Sequence, residues 1–429
     1  MRSPTMSRSS DMKNIVVIGG GIIGCTTAFY LASHPRFAAS STKITLIEAS
    51  KAGVAQGASG KAGGLVAKWA YPKELVNVSF AEHVRLASEH DGEKHWGWRM
   101  VHCGSWEGRG EAAEDSGTGA GAGGRRKSLE KTLGLESESD ASKDAHARSG
   151  LPNDLNWVKR SLTESYSPMA PFGATAQVQP YLFTTSMMEL AKDKGVEYVS
   201  GKVTSINVDN SKGSSPQVTG VTYTPSNSNP GAEPQTLLAT HVILAGGAWS
   251  PKLVPSLPIA GTRAHSITIV PKEGTTIAPY VLFTEISLPS GVASSGPRNV
   301  SPEIYARPTN EVYCCGPGDD SPVPETVDDV AVDEDACESI REHVASISPE
   351  LREGRVDRRQ ACFLPVVSSG GGPIVGAADS VARGLIVATG HTCWGICNAP
   401  GTAKAVSELV MDGKIKCANL DKLKPSRFL

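Results

Sequence analysis

The sequence predicts an α/β fold: a βαβ unit opens the chain, and a second, mainly antiparallel α+β domain is built from later segments. Three observations predict it. The apolar run Ile15-Val16-Val17-Ile18 ends in three glycines and passes into a helical pattern. A second strand run, Lys43 to Ile47, follows that helix closely enough to complete a βαβ unit. Strand and helix patterns then recur to the C-terminus in mixed order, which suits an α/β domain joined to an antiparallel one.

In chain order, residues 1–13 are Ser-rich and basic, without the apolar stretch of a signal peptide, and read as a disordered tail. The first helix takes its buried face from Ile22, Ile23, Ala28, Phe29, Leu31 and Ala32. Later strands are expected at His241–Ala245, Ser266–Val270, Val312–Cys315 and Leu385–Thr389, and helices at Ser186–Lys194 and Asp333–Ile347. A last helix is expected over Pro400–Asp412, with Pro400 at the first helical position, Val406, Leu409 and Val410 buried, and Gly413 as its C-cap. Residues 107–150 contain the Gly/Ala/Thr run Gly117–Gly124 and a Ser/Glu/Lys-rich stretch, a composition that cannot bury a core; a disordered insertion is expected there. Asp209–Gln235 reads as the loop of a hairpin between Gly201–Val208 and Leu237–Leu244.

Of 429 residues, 39% are hydrophobic and 20% charged, with a formal net charge of -2. That size allows two domains, and that balance points to no nucleic acid and no general membrane surface. No apolar run approaches the roughly 18 residues of a membrane span. The nine cysteines are odd in number and lack CxxC spacing, so a reducing, cytoplasmic setting is expected. No His/Cys cluster has zinc spacing, and no metal is expected.

The glycine turn fits G-x-G-x-x-G at Gly19, Gly21 and Gly24. The first glycine serves the tight turn, the second a close approach to pyrophosphate, the third helix–strand packing. Ile22 and Ile23 open the helix, whose free N–H groups and dipole favour phosphate. Glu48 ends the second strand, where an acid roughly 20 residues on accepts hydrogen bonds from ribose and repels a 2′-phosphate. A structural glycine turn beside a surface Glu is the plain alternative. NAD and FAD share this fingerprint. Further small-residue turns at Ala58-Ser59-Gly60-Lys61-Ala62-Gly63-Gly64, at Gly246-Gly247 and at Gly390-His391 contact an elongated cofactor from both chain ends and favour FAD.

At VVIGGGIIG, GASGKAGG, HVILAGGAWS and GLIVATGH…APGTAKAV the chain resembles the D-amino-acid oxidase-like (DAO) superfamily of FAD-dependent oxidoreductases, the glycine oxidase and sarcosine oxidase group. At GASGKAGGLVAKWAYP, AQVQPYLFT, GTRAHSITIVP, RQACFLPV and GHTCWGICNAPGTAK it is similar to fungal oxidoreductases associated with late-endosome-to-Golgi retrograde transport. The resemblance implies a Rossmann-type FAD-binding domain, from segments 14–75, 181–260 and 361–429, and a substrate domain from 76–106, 151–180 and 261–360. It implies FAD contacts at Gly19, Gly21, Ile22, Ile23, Gly24, Glu48, Ala58, Ser59, Lys61, Ala62, Gly63, Gly64, Val203, Gly246, Trp249, Gly390, His391, Trp394, Gly395 and Ile396. Trp394, His391, Arg263 and Arg307 are the candidates for touching substrate or the flavin face. A core aromatic, a satisfied histidine and solvent-facing arginines are the respective alternatives. Gln177 and Gln179 read as structural. The resemblance also implies a C–N bond of a small amine or amino acid as substrate. Two further expectations concern cysteines. Cys362 falls where sarcosine-oxidase-like members link flavin covalently, and noncovalent FAD is expected here. Cys397 stands where they carry a basic carboxylate clamp. The trafficking association makes the low-complexity insertion a candidate partner-binding segment and an endosomal location a candidate address.

Overall fold

The structure is a computed structural model describing residues 12–112, 150–211, 215–226, 233–289 and 298–429. The expected tail lies outside the described residues apart from Met12 and Lys13, as do 113–149 of the expected insertion and any partner surface on it. The insertion was expected to begin at Glu107. In the structure the strand His102–Arg109 runs through that point, paired in parallel with Tyr280–Ser287.

An eight-stranded sheet carries the N-terminal unit, in the order Gln235–Leu238, Gln217–Pro225, Glu197–Asp209, Thr42–Glu48, Lys13–Ile18, His241–Leu244, Leu385–Thr389 and Ile374–Ala377. The five central strands are parallel, and those at either edge turn antiparallel. Side chains alternate across it, as a period of two requires. Ile15, Val17, Ile44, Leu46 and Ile243 pack under the helices. Val16, Ile18, Ile47, Val242 and Leu244 pack on the opposite face with Val203, Val218 and Val221. Three of those helices, Ile22–Ala32, Lys73–Glu89 and Gly395–Asp412, are clasped by one buried carboxylate. Glu82 accepts from Tyr30 Oη (2.6 Å), Arg85 Nε (2.8 Å) and Lys404 Nζ (2.7 Å). Burial pushes the Glu82 carboxyl up, but these donors outweigh it and hold it below the usual range.

The second sheet runs Arg355–Val367, Ile259–Val270, Val312–Asp319, Glu303–Ala306, Tyr280–Ser287, His102–Arg109 and Thr163–Pro168, antiparallel apart from its Tyr280–Ser287/His102–Arg109 pair. One face, with Ile267, Ile269, Leu282, Ile304 and Cys314, packs on the helix Glu334–Ala345. Asp333 caps that helix by accepting from Ala336 N–H at 3.1 Å.

Three local expectations are corrected. Asp209–Gln235 is not all loop: Gln217–Pro225 is a strand, its buried Val218, Gly220 and Val221 masked in sequence by flanking Ser, Pro and Asn. The helix Lys73–Glu89 was not anticipated, although Leu75, Val76, Ser79, Phe80, His83, Leu86 and Ala87 form a buried stripe, and it crosses the segment boundary placed at 75. The last helix starts at Gly395, and Pro400 lies inside it. Proline removes the N–H that would bond the carbonyl four residues earlier. That carbonyl belongs to Ile396, and His83 Nε2 lies 3.0 Å from it and 3.2 Å from the Cys397 carbonyl. The sequence neighbour that starts the helix Pro180–Asp193 is Gln179, whose Oε1 accepts from Leu182 N–H at 2.8 Å.

Candidate active site

Between the two sheets lies a cavity of about 460 Å³ whose wall draws on both chain ends. At one end the glycine turn builds a cradle. Gly19 holds φ +109°, and a Cβ there would sit 2.5 Å from the Ala245 carbonyl oxygen. A Cβ on Gly24 would sit 1.9 Å from the Gly19 carbonyl oxygen. Gly24 is therefore a packing position that shapes the turn without lining the cavity, the role the spacing gave it. Gly21 is different: its backbone is extended, and only Ser59 Oγ, at 3.1 Å, comes near its missing Cβ. The Ile22 N–H at the helix start donates to that same Ser59 Oγ (2.9 Å). Glu48 Oε2 accepts from Gly20 N–H at 2.5 Å and Oε1 from Ser50 N–H at 2.7 Å. Burial pushes the Glu48 carboxyl up despite these donors.

Ala58, Ser59, Lys61, Ala62, Gly63 and Gly64 form one side of the cavity, with Val203, Gly246 and Trp249 on another. Lys61 Nζ donates to the Ala361 carbonyl (3.0 Å), and burial lowers its pKa. His391, Trp394, Gly395 and Ile396 complete the wall, so the N-terminus of the 18-residue helix Gly395–Asp412 opens onto it. Trp394 meets Trp69 edge to face, centroids 5.6 Å apart, and its Nε1 is buried without a hydrogen-bond partner. Gly390 sits one residue behind the wall, at φ +82°.

His391 Nε2 lies 3.0 Å from Thr402 Oγ1, and burial drives the imidazole pKa down to about 3, far below that of an ordinary histidine. A His whose folded pKa is depressed favours the folded state above its unfolded value. Its stabilisation is lost as pH falls below about 6.5, and His83, lowered to about 4, adds to the same trend. Stability at pH 5.5 is expected to lie on the order of 1 kcal/mol per histidine below that at pH 7. Urea unfolding midpoints at the two pH values test this, and equal midpoints contradict neutral burial.

The structure places two of the candidates off the cavity wall. Arg263 does not line the cavity. Its strand neighbour Ala264 does, and alternation sends Arg263 outward, where Nε binds Asp319 Oδ2 at 3.1 Å and Nη1 the Ala331 carbonyl at 3.3 Å. Arg307 is buried but also off the wall. Nη1 pairs with Glu311 Oε2 (2.7 Å) and Nη2 donates to the Ala62 carbonyl (2.5 Å), so it braces the small-residue loop from behind. A desolvated guanidinium needs such a carboxylate, which fixes its direction. Cys362 lines the cavity with its thiol pKa pushed up to about 11 by burial, whereas Cys397 is buried behind it against Ala67. All nine cysteines are free thiols.

Sequence reading missed Glu303, Tyr313 and Cys315, which line the cavity beside Tyr305. The signal was present as E-x-Y opposite Y-x-C on adjacent strands, but only the register reveals the pairing. It also missed the crossing of 324–328 back over the cradle. Trp249 Nε1 donates to the Pro324 carbonyl (2.9 Å), Lys202 and Lys252 pair with Glu325, and Ser50 Oγ donates to Asp328 Oδ1 (2.5 Å).

Residues 14–409 match the DAO family, described as FAD dependent oxidoreductase. The chain belongs to that family. It is 32% identical over 515 residues to the Saccharomyces cerevisiae protein named "Putative oxidoreductase TDA3", covering 98% of this chain and 95% of the relative. It is also 32% identical over 433 residues to the Schizosaccharomyces pombe protein named "Putative oxidoreductase C1F5.03c", covering 98% and 100%. In fold it is similar to glycine oxidase from Bacillus cereus (TM-score 0.66, 17% identity, covering 96% of this chain and 98% of that one). L-proline dehydrogenase from P. horikoshii is similar to the same degree (TM-score 0.66, 16% identity, covering 97% and 98%). The family's cofactor is FAD, and the protein is an FAD-dependent oxidoreductase. The cavity fits it. The glycine cradle leaves open the space a side chain would fill at Gly21, and Glu48 stands at the end of its strand as the dinucleotide fold requires. Among the described residues no three His, Cys, Asp or Glu are grouped to hold a metal, and no helix is long and apolar enough to cross a membrane.

Proposed function

We propose that the protein oxidises a C–N bond of a small amine or amino-acid-like molecule, held between the antiparallel sheet and the flavin. The observation that carries this reading is the single cavity that joins the glycine cradle to a wall from the second sheet, Glu303, Tyr305, Tyr313 and Cys315. FAD, when bound there, supplies a hydride acceptor. The chain's own residues would then do four things. Gly19, Gly21 and Ile22 would take the pyrophosphate against the helix start, and Glu48 the ribose. The N-terminus of Gly395–Asp412 would favour negative charge placed before it. Trp394 and the tyrosines would exclude water. No acid–base dyad is required where the amine enters neutral.

With Arg263 and Arg307 turned away and a thiol at Cys397, the wall offers no guanidinium among the described residues to clamp a carboxylate. A charge-assisted hydrogen bond of about 1.5–3 kcal/mol is thereby forgone. Sarcosine, glycine and common D-amino acids are therefore expected to reduce the flavin poorly, and a larger or less anionic amine well. Anaerobic bleaching of the bound flavin across an amine and amino-acid panel is the test. Saturable sub-millimolar reduction by glycine or sarcosine overturns the substrate assignment. The resemblance of the motifs RQACFLPV and GHTCWGICNAPGTAK to fungal oxidoreductases of retrograde transport supports a second reading: a cytoplasmic, endosome-associated flavoprotein with little turnover. Failure of every amine to bleach the flavin selects that reading.

A further inference from the structure

The chain between the strand Val312–Asp319 and the helix Glu334–Ala345 leaves its own sheet and reaches the cradle of the other. Glu325, Thr326 and Val327 line the same cavity as Gly19, Gly21 and Glu48. Both ends of this crossing are tied to the antiparallel sheet. Asp319 accepts from Arg263 Nε at 3.1 Å and from Ser321 N–H at 2.9 Å, and Asp333 N–H donates to His265 Nε2 at 3.0 Å. Val323 lies over Gly261, where a Cβ would come within 2.3 Å of it.

The middle of the crossing is tied instead to the eight-stranded sheet, at three separate points. Lys202, on the strand Glu197–Asp209, and Lys252, at the end of the helical turn Gly247–Lys252, both pair with Glu325, Lys252 at 2.7 Å. Lys252 Nζ also donates to the Pro324 carbonyl (3.0 Å), as does Trp249 Nε1 (2.9 Å). Ser50, just past the strand Thr42–Glu48, supplies the third point. Its N–H donates to Glu48 Oε1 at 2.7 Å and its hydroxyl to Asp328 Oδ1 at 2.5 Å, while Lys51 N–H donates to Asp328 Oδ2 at 3.0 Å. One serine thus joins the crossing to the carboxylate at the dinucleotide end of the cavity. Between these anchors Thr326 donates to Asp329 Oδ2 through its N–H (2.9 Å) and its hydroxyl (2.7 Å), which fixes the turn. Val327 faces the small-residue loop, 3.6 Å from where a Cβ on Gly57 would lie.

This fastening is polar. None of residues 320–333 is buried. The Glu325 side chain is 66% exposed and its two lysines 36% and 37%. Ion pairs of that kind are individually weak and are screened by salt. A segment with exposed polar anchors and few buried apolar contacts opens locally while the rest stays folded. The cradle itself is different, since it rises from a strand whose Ile15, Val16, Val17 and Ile18 are all buried.

We propose that residues 320–333 form a cofactor strap. Release of the Glu325 and Asp328 anchors opens the dinucleotide end of the cavity, and refastening them holds FAD in place. The second domain then governs how long the cofactor stays bound. This inference rests on the FAD assignment and is independent of the substrate class.

The test is the rate at which bound FAD exchanges with excess isotope-labelled FAD, read by mass spectrometry of the protein-bound flavin after rapid desalting. Glu325→Gln combined with Asp328→Asn keeps side-chain size and removes both charges. This double variant is expected to exchange at least about tenfold faster than the unmodified holoprotein. Its apoprotein is expected to take up FAD faster as well, as followed by flavin fluorescence, because a gate acts on entry and exit alike. Raising sodium chloride from about 0.15 M to about 1 M shortens the Debye length from about 8 Å to about 3 Å. That change is expected to speed exchange in the unmodified protein and to leave the double variant unaffected. Exchange in the double variant no faster than in the unmodified protein overturns the proposal. Faster exit with unchanged uptake also overturns it, since the segment is then a wall of the site and not its gate. Absence of exchange in both proteins overturns it too. If the double variant does not fold, Lys202→Met combined with Lys252→Met removes the same ion pairs from the other side. An exchange rate indifferent to that variant and to salt then overturns the strap.

Discussion

Gly21→Val is expected to lower FAD affinity by on the order of 100-fold, a difference of about 2.8 kcal/mol, while leaving the polypeptide folded. The backbone at Gly21 has φ -74° and ψ 176°, an extended conformation that valine adopts without strain. Among the described residues, a Cβ there would meet Ser59 Oγ at 3.1 Å, a side chain able to give by the few tenths of an ångström needed. The isopropyl group then occupies the space in which the cradle would take a pyrophosphate. Flavin absorbance per chain after gel filtration measures the loss, and far-UV circular dichroism of the apoprotein checks the fold. Full FAD content in Gly21→Val removes the cradle from this glycine. Gly24→Val serves as the contrast. Its Cβ would lie 1.9 Å from a backbone oxygen, so that variant is expected to lose structure as well as flavin.

His83→Leu is expected to cost about 2–3 kcal/mol of stability, an orphaned buried carbonyl and lost packing together. The imidazole lies stacked on Trp98, centroids 5.8 Å apart, and against Phe183 at 5.1 Å. Burial lowers its pKa to about 4, so the ring is neutral at pH 7, and facing two carbonyls it must carry its proton on Nε2. It thus supplies the donor that Pro400 withdraws from the Ile396 carbonyl. Leucine fills the volume and supplies no donor. The melting temperature is expected to fall by several degrees. The visible spectrum of bound FAD is expected to shift, because Ile396 stands on the cavity wall at the N-terminus of the same helix. His83→Gln, which retains a donor, should recover part of both. An unchanged melting temperature in His83→Leu would show that the broken helix turn needs no outside partner.

The glycine turn, Glu48 and the strand before them were legible because their chemistry is local. A backbone that must approach a phosphate leaves its mark as glycine at fixed spacing, whatever the rest of the chain does. The capped helix after Asp333 was legible for the same reason. Gln217–Pro225 was not, since a strand among polar residues is stabilised by its partners Glu197–Asp209 and Gln235–Leu238 and has little signal of its own. Pro400 misled because a proline at a helix start and a proline tolerated inside a helix look alike until His83, more than 300 positions away, comes into view.

The sequence by itself determined the family of folds, the glycine turn and the flavin. Tertiary structure decided the wall of the cavity that faces the glycine turn. Arg263 and Arg307 were reasonable candidates as residue types, but strand alternation sent one outward and desolvation tied the other to Glu311. Glu303, Tyr305, Tyr313 and Cys315 became one surface only through the register of two antiparallel strands. Pairing across a sheet is fixed by the whole fold, so no spacing within either strand announces which side chains will meet.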